Sequence, residues 1–393
     1  MFQVSSFKFH DFFMEIKNLE KAARRIKKAI KEEEKILLFS DSDLDGATSL
    51  IILEETIKNL GGRVSICYFP DREKEGYGLS ESALGFFKKY SPALLILLDC
   101  GIGNFKEVSL ARKLGFEVII IEHHVVLGKV PSAEIVVNPK QKGDKYPFKF
   151  LATCGITFLL SREILADKIS KSMENNFLEL VSLGTIADKM PQKEDNKNFI
   201  EQGLFYLPST FRPGLKIFFK FFPLENYSLK EIVQKIVSVL QITETKNHLT
   251  ESYRLLSVAN LKEAEEMLKT LIEKSDRKRE LIKEFFEKIE EKIFSKDFDF
   301  IFEGGKDFPL NLTGAIAGWV FSRFNKPTFI FSRKDNLIRG SIRSPQEIDS
   351  VETLKHCSSY LEIYGGHPQA AGFTVKKENL EKFKECLKNY FKS

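Results

Sequence analysis

The first half of the chain alternates short runs of apolar residues with longer stretches whose apolar positions recur at helical spacing. Runs that are apolar at every position are typical of strands buried on both faces, and their alternation with helices predicts a parallel α/β sheet. The predicted strands are residues 35–39, 63–69, 94–99 and 117–122. The predicted helices between them are residues 47–60, 80–90 and 104–114. In such sheets, sites form at the carboxyl ends of the strands.

The second half of the chain predicts a helical connector and a smaller α/β unit. Residues 191–260 indicate short connecting helices, and residues 260–296 place apolar positions at helical spacing among many charges, which predicts one or two long helices. The elements expected after them are a strand at 298–303, a helix at 311–323, strands at 327–332, 337–343 and 371–376, and a C-terminal helix. We therefore divide the chain into domains at 1–200 and 297–393, joined by the connector 201–296.

Composition narrows the class of protein only a little. The 393 residues are 43% hydrophobic and 29% charged, as in ordinary globular proteins, and the net charge of +5 permits a nucleic-acid partner without arguing for one. No run of about 18 apolar residues is present, so we expect no membrane segment. The five cysteines are widely spaced and include no CxxC pair. This spacing suits neither a disulfide framework nor a zinc site, and predicts a reduced, cytoplasmic protein.

Three aspartates at alternate positions follow the first predicted strand. Asp41, Asp43 and Asp45 repel one another, and a divalent cation would explain their proximity. The pattern, closed by Gly46, matches the start of an EF-hand loop, which requires a glutamate at its twelfth position between two helices. That position is Ile52, and the preceding element is a predicted strand, so the EF-hand is excluded. A solvated acidic turn remains the alternative.

Further candidate ligands stand at the ends of later apolar segments. Asp99 ends one predicted strand, Glu122, His123 and His124 end another, and Asp188 ends an apolar helix. A buried carboxylate is costly unless it is paired or bound to a metal. This mixed set of oxygen and nitrogen donors suits two manganese or magnesium ions that share a carboxylate. The residues alone therefore indicate metal-assisted hydrolysis of a phosphoester.

The order of the motifs adds a family resemblance over residues 30–376. The series "DSDLDGAT", "PDREKEGYGLS", "LLDCGIG", "EHHV", "VVNPKQ", "LATCGITF" and "LVSLGTIADKMP" resembles the DHH phosphoesterase superfamily, and within it the RecJ-type single-strand-specific exonucleases. The later stretches "RGSIRS" and "YGGHPQAAGFTV" are similar to the DHH-associated domain, which binds substrate in these enzymes. The resemblance thus implies a DHH domain in residues 1–200 and a DHH-associated domain in residues 297–393.

The resemblance implies ligands for two divalent cations, with manganese expected and magnesium also compatible. These ligands are Asp41, Asp43, Asp45, Asp99, His123 and Asp188. Among them Asp99 would bridge the ions. The implied catalytic residues are Asp99, His123, His124 and Asp188. In this set His124 would lie against the scissile phosphate.

The resemblance also implies two groups of substrate contacts. In the first domain they are Arg72, Tyr77, Gly78 and Ser80. For Arg72 the alternative is a surface ion pair with Glu73 or Glu75. In the second domain they are Arg339, Ser341, Arg343 and Ser344 on a strand, and Gly365, Gly366 and His367. The last three are predicted to form a turn whose N–H groups approach an anion.

Three features depart from the family pattern. Glu122 stands where the family has aspartate. Glutamate keeps the negative charge that orients a neighbouring histidine, so we expect the substitution either to be tolerated or to weaken activity. The Asn-Ala-Ala-Gly-Arg stretch that the family carries is absent from residues 239–256, which removes one arginine that grips nucleic acid. We also expect a catalytic core without the oligonucleotide-binding extension of the longer relatives.

The resemblance favours a 5′-to-3′ exonuclease that releases mononucleotides from single-stranded DNA in repair, recombination or replication. RNA is also compatible as substrate, and proteins of replication or repair are the expected partners. One alternative is an enzyme for oligoribonucleotides or cyclic dinucleotides, which the missing arginine favours and the "GYGLS" motif disfavours. Another is a replication scaffold with weak or lost catalysis, which the complete set of six ligands disfavours.

Overall fold

The computed structural model describes residues 15–293, 299–334 and 336–392. The predicted parallel sheet is confirmed, and its strand order is β2-β1-β3-β4-β5 with every neighbouring pair parallel. The strands are β1 (Ile36–Ser40), β2 (Val64–Tyr68), β3 (Ala93–Leu98), β4 (Phe116–Ile121) and β5 (Ile135–Val137). The last strand was not predicted, because three residues are too short a run to stand out from the loop around them.

Helices cover both faces of this sheet. They are α1 (Leu19–Lys31), α2 (Leu44–Asn59), α3 (Glu81–Phe87), α4 (Phe105–Lys113), α5 (Thr153–Leu165) and α6 (Lys171–Ala187). Alternate strand residues point to opposite faces. Thus Leu38 and Ile96 pack with α1, α2, α5 and α6, whereas Phe39 and Leu97 pack with α3 and α4. The strands are apolar throughout because both faces are buried.

The predicted helical connection between the two domains is confirmed, whereas its bounds at 201 and 296 stay predictions. Helix α7 (Glu194–Tyr206) begins before residue 201 and runs into the connector, which also contains α8 (Pro213–Phe221), α9 (Leu229–Leu240), α10 (Glu251–Ser257) and α11 (Leu261–Ile293). A short hairpin that the sequence did not predict, β6 (Thr245–Lys246) with β7 (Leu249–Thr250), precedes α10. Helix α11 is a single helix of 33 residues. Its first half packs into the core of the first domain through Leu268, and its second half packs into the second domain through Phe285.

The second domain is a five-stranded sheet with helices α12 (Thr313–Phe324), α13 (Ser350–His356) and α14 (Leu380–Lys392). Its strands are β8 (Ile301–Gly305), β9 (Thr328–Lys334), β10 (Leu337–Arg343), β11 (Leu361–His367) and β12 (Ala370–Lys376). Their order is β11-β12-β10-β9-β8, and only the β8–β9 pair is parallel. The predicted smaller α/β domain is therefore confirmed.

The predicted turn at Gly365, Gly366 and His367 is wrong, because these residues form the end of β11 and pair with β12. Gly366 has φ of 142°, and a Cβ atom there would lie 2.4 Å from the carbonyl oxygen of Ala370. Glycine is needed here for close approach of two strands, not for a turn. The turn lies just beyond, between His367 and Ala370.

The prediction of cysteines without a disulfide is also wrong. Cys357, next to the end of α13, is bonded to Cys386 in α14, 29 residues later. Cys67, Cys100 and Cys154 are free. Sequence spacing could not reveal the pair, because packing of α13 against α14 brings the two thiols together.

Parts of three predicted segments lie outside the described residues. They are residues 1–14 of the first predicted domain, 294–296 of the connector, and 297–298, 335 and 393 of the second domain, where the first strand was expected to start at 298. Within the described part of the chain, no helix combines the length and the apolar character needed to cross a membrane.

Candidate metal centre

The predicted ligands converge at the carboxyl edge of the first sheet. Asp41 follows β1, Asp99 follows β3, and Glu122 and His123 follow β4. Because these strands are parallel neighbours, their carboxyl ends meet at one edge. Asp188, directly after α6, completes the group, with its Oδ2 atom 3.4 Å from Nε2 of His123.

A tight strand-to-helix connection presents the three aspartates. Asp43 begins α2 as its N-cap, and its side chain accepts a hydrogen bond from the N–H of Gly46 at 3.1 Å. A Cβ atom at Gly46 would lie only 2.2 Å from the carbonyl oxygen of Asp41, so glycine is required for this close approach. The glycine of the "DSDLDG" stretch thus serves backbone packing, while the aspartates face the site.

Asp45 lies fully buried against the N-terminus of α5. Its two carboxylate oxygens accept hydrogen bonds from the N–H groups of Thr153 and Cys154, each at 2.8 Å. Anionic groups are stabilised at helix N-termini. Burial and the charge of Asp43 nevertheless outweigh these bonds and raise the pKa of Asp45 to about 6. The positive charge near Asp45 is therefore too small to stabilise its ionised form fully, as expected of a carboxylate that binds a cation.

Asp99 lies at the centre of the carboxylates. Its backbone adopts a left-handed conformation with φ of 57°, which turns the chain sharply at the end of β3. Thr153 donates its hydroxyl to one Asp99 oxygen at 2.8 Å. Burial and repulsion from four surrounding aspartates raise the pKa of Asp99 well above its usual range. Burial and neighbouring carboxylates raise the pKa of Asp188 in the same way.

His123 places one ring nitrogen, Nε2, close to these carboxylates. Its Nδ1 lies 3.0 Å from the carbonyl oxygen of Leu151, and its Nε2 lies 3.3 Å from Asp99, 3.4 Å from Asp188 and 3.9 Å from Asp45. Burial lowers the pKa of His123 well below its usual value, which keeps the ring neutral. Within the described residues, neither His123 Nε2 nor Asp188 Oδ2 has a hydrogen-bond partner, although both are buried. A cation would satisfy both atoms.

The ligand atoms form two oxygen-rich clusters that share Asp99. One contains Asp45, Asp99 and His123, the other Asp41, Asp43 and Asp99, and in each the ligand atoms lie within 4.8 Å of one another. Carboxylate oxygens with a single imidazole suit Mn²⁺ and Mg²⁺. The residues present therefore fit a pair of divalent cations with one carboxylate between them.

Arg72 occupies the second of these clusters. Its guanidinium donates to both oxygens of Asp41, with one bond of 2.9 Å, and lies 3.1 Å from Asp43. The alternative of an ion pair with Glu73 or Glu75 is wrong. A second cation held by Asp41 and Asp43 would compete with the guanidinium for the same oxygens and would displace Arg72 from them.

Glu122 supports His124 instead of binding in either cluster. Its Oε2 atom accepts from the backbone N–H of His124 and lies 3.0 Å from Nδ1 of the same ring. Burial alone would lower the pKa of His124, but the Glu122 carboxylate raises it to about 9. Tyr77 contacts the same nitrogen, because its hydroxyl lies 3.3 Å from Nδ1 and donates to the carbonyl oxygen of Asp99 at 2.9 Å. His124 is therefore cationic and fixed in position.

Replacing Glu122 by glutamine tests this support. We expect the variant to keep its divalent cations and to lose about 10–100-fold in turnover, because the ring of His124 loses both its orientation and its raised pKa. Turnover and manganese affinity measured on the same preparation check this expectation. Glu122→Asp, which restores the residue expected from the family, serves as the control and should retain most of the turnover. Equal turnover in Glu122→Gln and the wild type would contradict this role.

The second domain closes over this edge of the sheet. The ring of His367 stacks on His124 at 4.6 Å and lies 4.7 Å from His123. Arg343, at the end of β10, is close enough to Asp188 and Lys189 to interact electrostatically with both. Of the residues predicted in the second domain, Arg343 and His367 are the two whose contacts lead directly to the centre.

The other predicted substrate residues have structural partners or lie farther away. The hydroxyl of Ser80 caps α3 and donates to Glu75 at 2.8 Å. Gly78 lies against Asn104 with φ of 81°. In the second domain, Ser341 pairs with Thr313 at 3.1 Å, Ser344 with Ser350 at 3.1 Å, and Gly365 and Gly366 form backbone pairs with β12. Arg339 lies four residues before Arg343, about 13 Å along the strand. Their contacts with substrate stay predictions.

Three lysines beside the site were not predicted. Lys140 donates to the carbonyl oxygen of His123 and is close enough to Glu122 and Asp188 to interact with their charges. Lys189 follows Asp188 directly, and Lys278 of α11 lies near Arg72. Burial lowers the pKa of each of the three. Lys140 and Lys189 lie within the family motifs "VVNPKQ" and "LVSLGTIADKMP", which could have singled them out. Lys278 lies in a charged helix, where no such signal exists.

Family models match both domains. The model described as the DHH family N-terminal domain matches residues 35–185, and the DHHA1 domain model matches residues 299–393. Among curated proteins, the single-stranded-DNA-specific exonuclease RecJ of Bacillus subtilis is 31% identical over 389 residues, which cover 96% of this chain and 48% of that protein. RecJ of Thermus thermophilus is 26% identical over 376 residues, covering 95% and 54%. The chain thus spans about half the length of these relatives.

Solved structures agree in fold. The chain resembles a crystal structure of exonuclease RecJ bound to manganese with a TM-score of 0.76 and 25% identity, covering 96% of this chain and 95% of that one. It resembles a crystal structure of RecJ from Thermus thermophilus in complex with Mn²⁺ with a TM-score of 0.80 and 23% identity, covering 96% and 55%. With both domain models matched in order and RecJ proteins similar along almost its whole length, the chain belongs to the DHH family and is RecJ-like.

Proposed function

We propose that this chain is an exonuclease that depends on divalent cations and removes mononucleotides from the 5′ end of single-stranded DNA. The observation that carries the proposal is the pair of oxygen-rich clusters that share Asp99. Such a pair suits hydrolysis of a phosphodiester. Similarity to single-stranded-DNA-specific exonucleases of the RecJ type supports the choice of substrate.

Asp41, Asp43, Asp45, Asp99, His123 and Asp188 would hold two divalent cations, either Mn²⁺ or Mg²⁺. When bound, such ions lower the pKa of water and neutralise charge on the phosphoryl group. The protein contributes position. Thr153 holds Asp99, the N-terminus of α5 holds Asp45, and the carbonyl of Leu151 leaves His123 Nε2 facing the cluster. These fixed contacts orient the ligands before substrate arrives.

His124 would stabilise charge on the scissile phosphate. A ring with a pKa of about 9 is protonated at neutral pH and can donate to a phosphoryl oxygen from Nε2. The contacts with Glu122 and Tyr77 hold its other nitrogen, so the donor is preorganised. Preorganised donors are commonly the largest electrostatic contribution to catalysis.

The DNA strand would lie between the two domains. Arg343 and His367 face the centre from the second domain, and Lys140 and Lys189 lie beside it in the first. Contacts of this kind bind phosphates of any sequence. Lys278 lies near Arg72 and donates to the carbonyl oxygen of Gln241 at 3.0 Å, so it offers a cation within the segment where the family arginine is missing. We also propose that the enzyme acts from the 5′ end, in repair, recombination or replication. The proposal includes a cytoplasmic location and partners among replication or repair proteins.

A digest of labelled single strands tests this function. The chain is incubated with Mn²⁺ and either a 5′-labelled or a 3′-labelled single strand, with duplex DNA, single-stranded RNA and a dinucleotide in parallel. We expect immediate release of labelled mononucleotide from the 5′-labelled strand and gradual shortening of the 3′-labelled one. Cleavage of the dinucleotide alone would assign the chain to short substrates. Tight DNA binding without cleavage would indicate a scaffold.

Replacing Arg343 by alanine should weaken binding of single-stranded DNA without changing cation affinity. The expected loss is about 10-fold at moderate salt, and the slope of binding against salt should fall by about one phosphate contact. Fluorescence anisotropy at several salt concentrations, with Ca²⁺ to suppress cleavage, measures both. Arg333→Ala is the matched control, because Arg333 is an exposed arginine on β9 whose guanidinium lies over Phe331. Equal DNA affinity of Arg343→Ala and the wild type would remove Arg343 from the substrate path.

A further inference from the structure

Three histidine rings meet where the second domain closes on the first. The ring centroids of His123 and His124 lie 4.5 Å apart, and His367 lies 4.7 Å from the first and 4.6 Å from the second. One nitrogen of each ring lies within 4.8 Å of the other two. This all-nitrogen group shares only His123 with the two oxygen-rich clusters.

The surroundings of these rings resemble those of metal ligands. His123 uses Nδ1 on the carbonyl oxygen of Leu151, and His124 uses Nδ1 on Glu122, each at 3.0 Å. Metal-binding histidines commonly place their second nitrogen on a carbonyl or a carboxylate in this way. The Nε2 atoms of His123 and His367 are buried and, within the described residues, lack a hydrogen-bond partner. A buried nitrogen without a hydrogen-bond partner destabilises the folded state unless a donor or a metal ion binds it.

We propose that His123, His124 and His367 form a binding site for Zn²⁺ that joins the two domains. Zn²⁺ binds three histidines in tetrahedral sites that keep one position for water, whereas Mn²⁺ and Mg²⁺ favour oxygen ligands. Zinc–nitrogen bonds of about 2.0–2.1 Å place ligand nitrogens about 3.4 Å apart, so each ring has to move by less than about 1 Å.

Zinc binding has one local cost. The ion has to displace a proton from His124, whose pKa Glu122 raises to about 9. Release of a proton is usual when histidine binds a metal. The carboxylate also increases the basicity of the ring, as it does in carboxylate–histidine–zinc groups.

The site has a regulatory consequence. Its ligands come from both domains, so one zinc ion would hold the cleft closed. It would also withdraw His123 from Asp45 and Asp99. Zinc should therefore inhibit the nuclease; this consequence rests on the proposed function, whereas zinc binding itself does not.

Zinc affinity of the full chain tests the site. Zn²⁺ is titrated against a chromophoric zinc chelator in excess Mg²⁺, which occupies the carboxylates of the oxygen-rich clusters and leaves His123 free to exchange to zinc. We expect His367→Gln to lower zinc affinity by at least about 100-fold, because loss of a ligand exceeds the 10–100-fold that loss of a supporting contact costs. His356→Gln is the matched control, because His356 is exposed and lies outside the cluster. Equal zinc affinity of His367→Gln and the wild type would overturn the proposal.

Two further measurements separate this site from the carboxylates. Asp43→Asn, which weakens an oxygen-rich cluster, should leave zinc affinity unchanged, and a matching loss would place zinc among the carboxylates and overturn the proposal. Small-angle X-ray scattering should show that zinc makes the wild type more compact or more uniform but leaves His367→Gln unchanged. The same scattering curve for both with and without zinc would contradict a bridge between the domains. Failure of DNA digestion would leave these results standing, so the two proposals fail separately.

Discussion

Replacing Asp99 by asparagine is expected to lower the rate of single-stranded DNA digestion by at least about 1,000-fold. Asp99 belongs to both oxygen-rich clusters, so its replacement weakens both cation sites at once. Loss of about 4 kcal/mol of transition-state stabilisation corresponds to about 1,000-fold in rate. Asparagine keeps the size of the side chain and tolerates the left-handed backbone with φ of 57° at this position. Initial rates at saturating Mn²⁺ on a 5′-labelled single strand measure the effect.

Stability in chelator distinguishes this loss from unfolding. In the cation-free protein Asp99 is repelled by its neighbours, so Asp99→Asn should unfold at a temperature no lower than that of the wild type. Asp167→Asn serves as the control, because Asp167 is an exposed aspartate away from the centre. Digestion by Asp99→Asn within about 10-fold of the wild-type rate would show that Asp99 does not join the two cation sites.

Removal of divalent cations is expected to reverse the pH dependence of stability. In the cation-free protein the pKa of Asp99 and of Asp188 is raised, that of Glu179 is raised to about 7, and that of His124 to about 9. In each case the folded state holds its proton more tightly than the unfolded chain. The stability that these protons contribute is present at low pH and is lost as pH rises through the folded pKa. Burial lowers the pKa of His123 and His367, which acts in the opposite sense only where unfolded histidine titrates, at about pH 6.5. The cation-free protein should therefore become less stable between about pH 7.5 and 9.

Saturating Mn²⁺ should change the sign of this trend. Metal ligands bind in their deprotonated forms, so cation binding strengthens as pH rises. A single site at 100 times its Kd adds about 2.7 kcal/mol of stability, and two sites should raise the unfolding temperature by about 5–10 °C at pH 8. Melting curves at about pH 7.5 and 9, with chelator and with Mn²⁺, measure both trends. Equal slopes against pH with and without Mn²⁺ would contradict cation binding at these carboxylates.

The sequence predicted the sheet and the centre for related physical reasons. Strands buried on both faces must be apolar throughout, so runs such as residues 94–99 stand out from the chain around them. Polar residues directly after such strands are conspicuous in turn, and parallel neighbours bring them together. Asp41, Asp43, Asp45, Asp99 and His123 stand out in the sequence for this reason.

Other features depend on contacts that no local pattern encodes. Arg72 pairs with Asp41 and not with its neighbours in sequence, because the loop after β2 folds back over the strand-to-helix connection. Gly366 was interpreted as part of a turn, since two adjacent glycines are typical of turns, yet it lies where two strands approach closely. The Cys357–Cys386 bond likewise depends on how two distant helices pack.

The residues that face the substrate cleft could be predicted from the sequence only in part. Family motifs pointed to the surface that carries Arg343 and His367, and the closed arrangement of the domains brings these two to the centre. Ser80 and Ser344 have internal hydrogen-bond partners instead. Lys278 belongs to α11, whose many charged residues gave no sign in the sequence of which ones lie near the centre. Tertiary packing decides which polar side chains reach the centre and which form internal hydrogen bonds, and the local sequence does not distinguish them.

Crystals soaked in Mn²⁺ and measured at the manganese absorption edge test the central claim most directly. The two clusters that share Asp99 predict two anomalous peaks about 3.5–4 Å apart, both within bonding distance of the Asp99 carboxylate. Arg72 should then have left Asp41 and Asp43. A single peak, or two peaks away from Asp99 with Arg72 still against both aspartates, would contradict a two-cation centre in this chain.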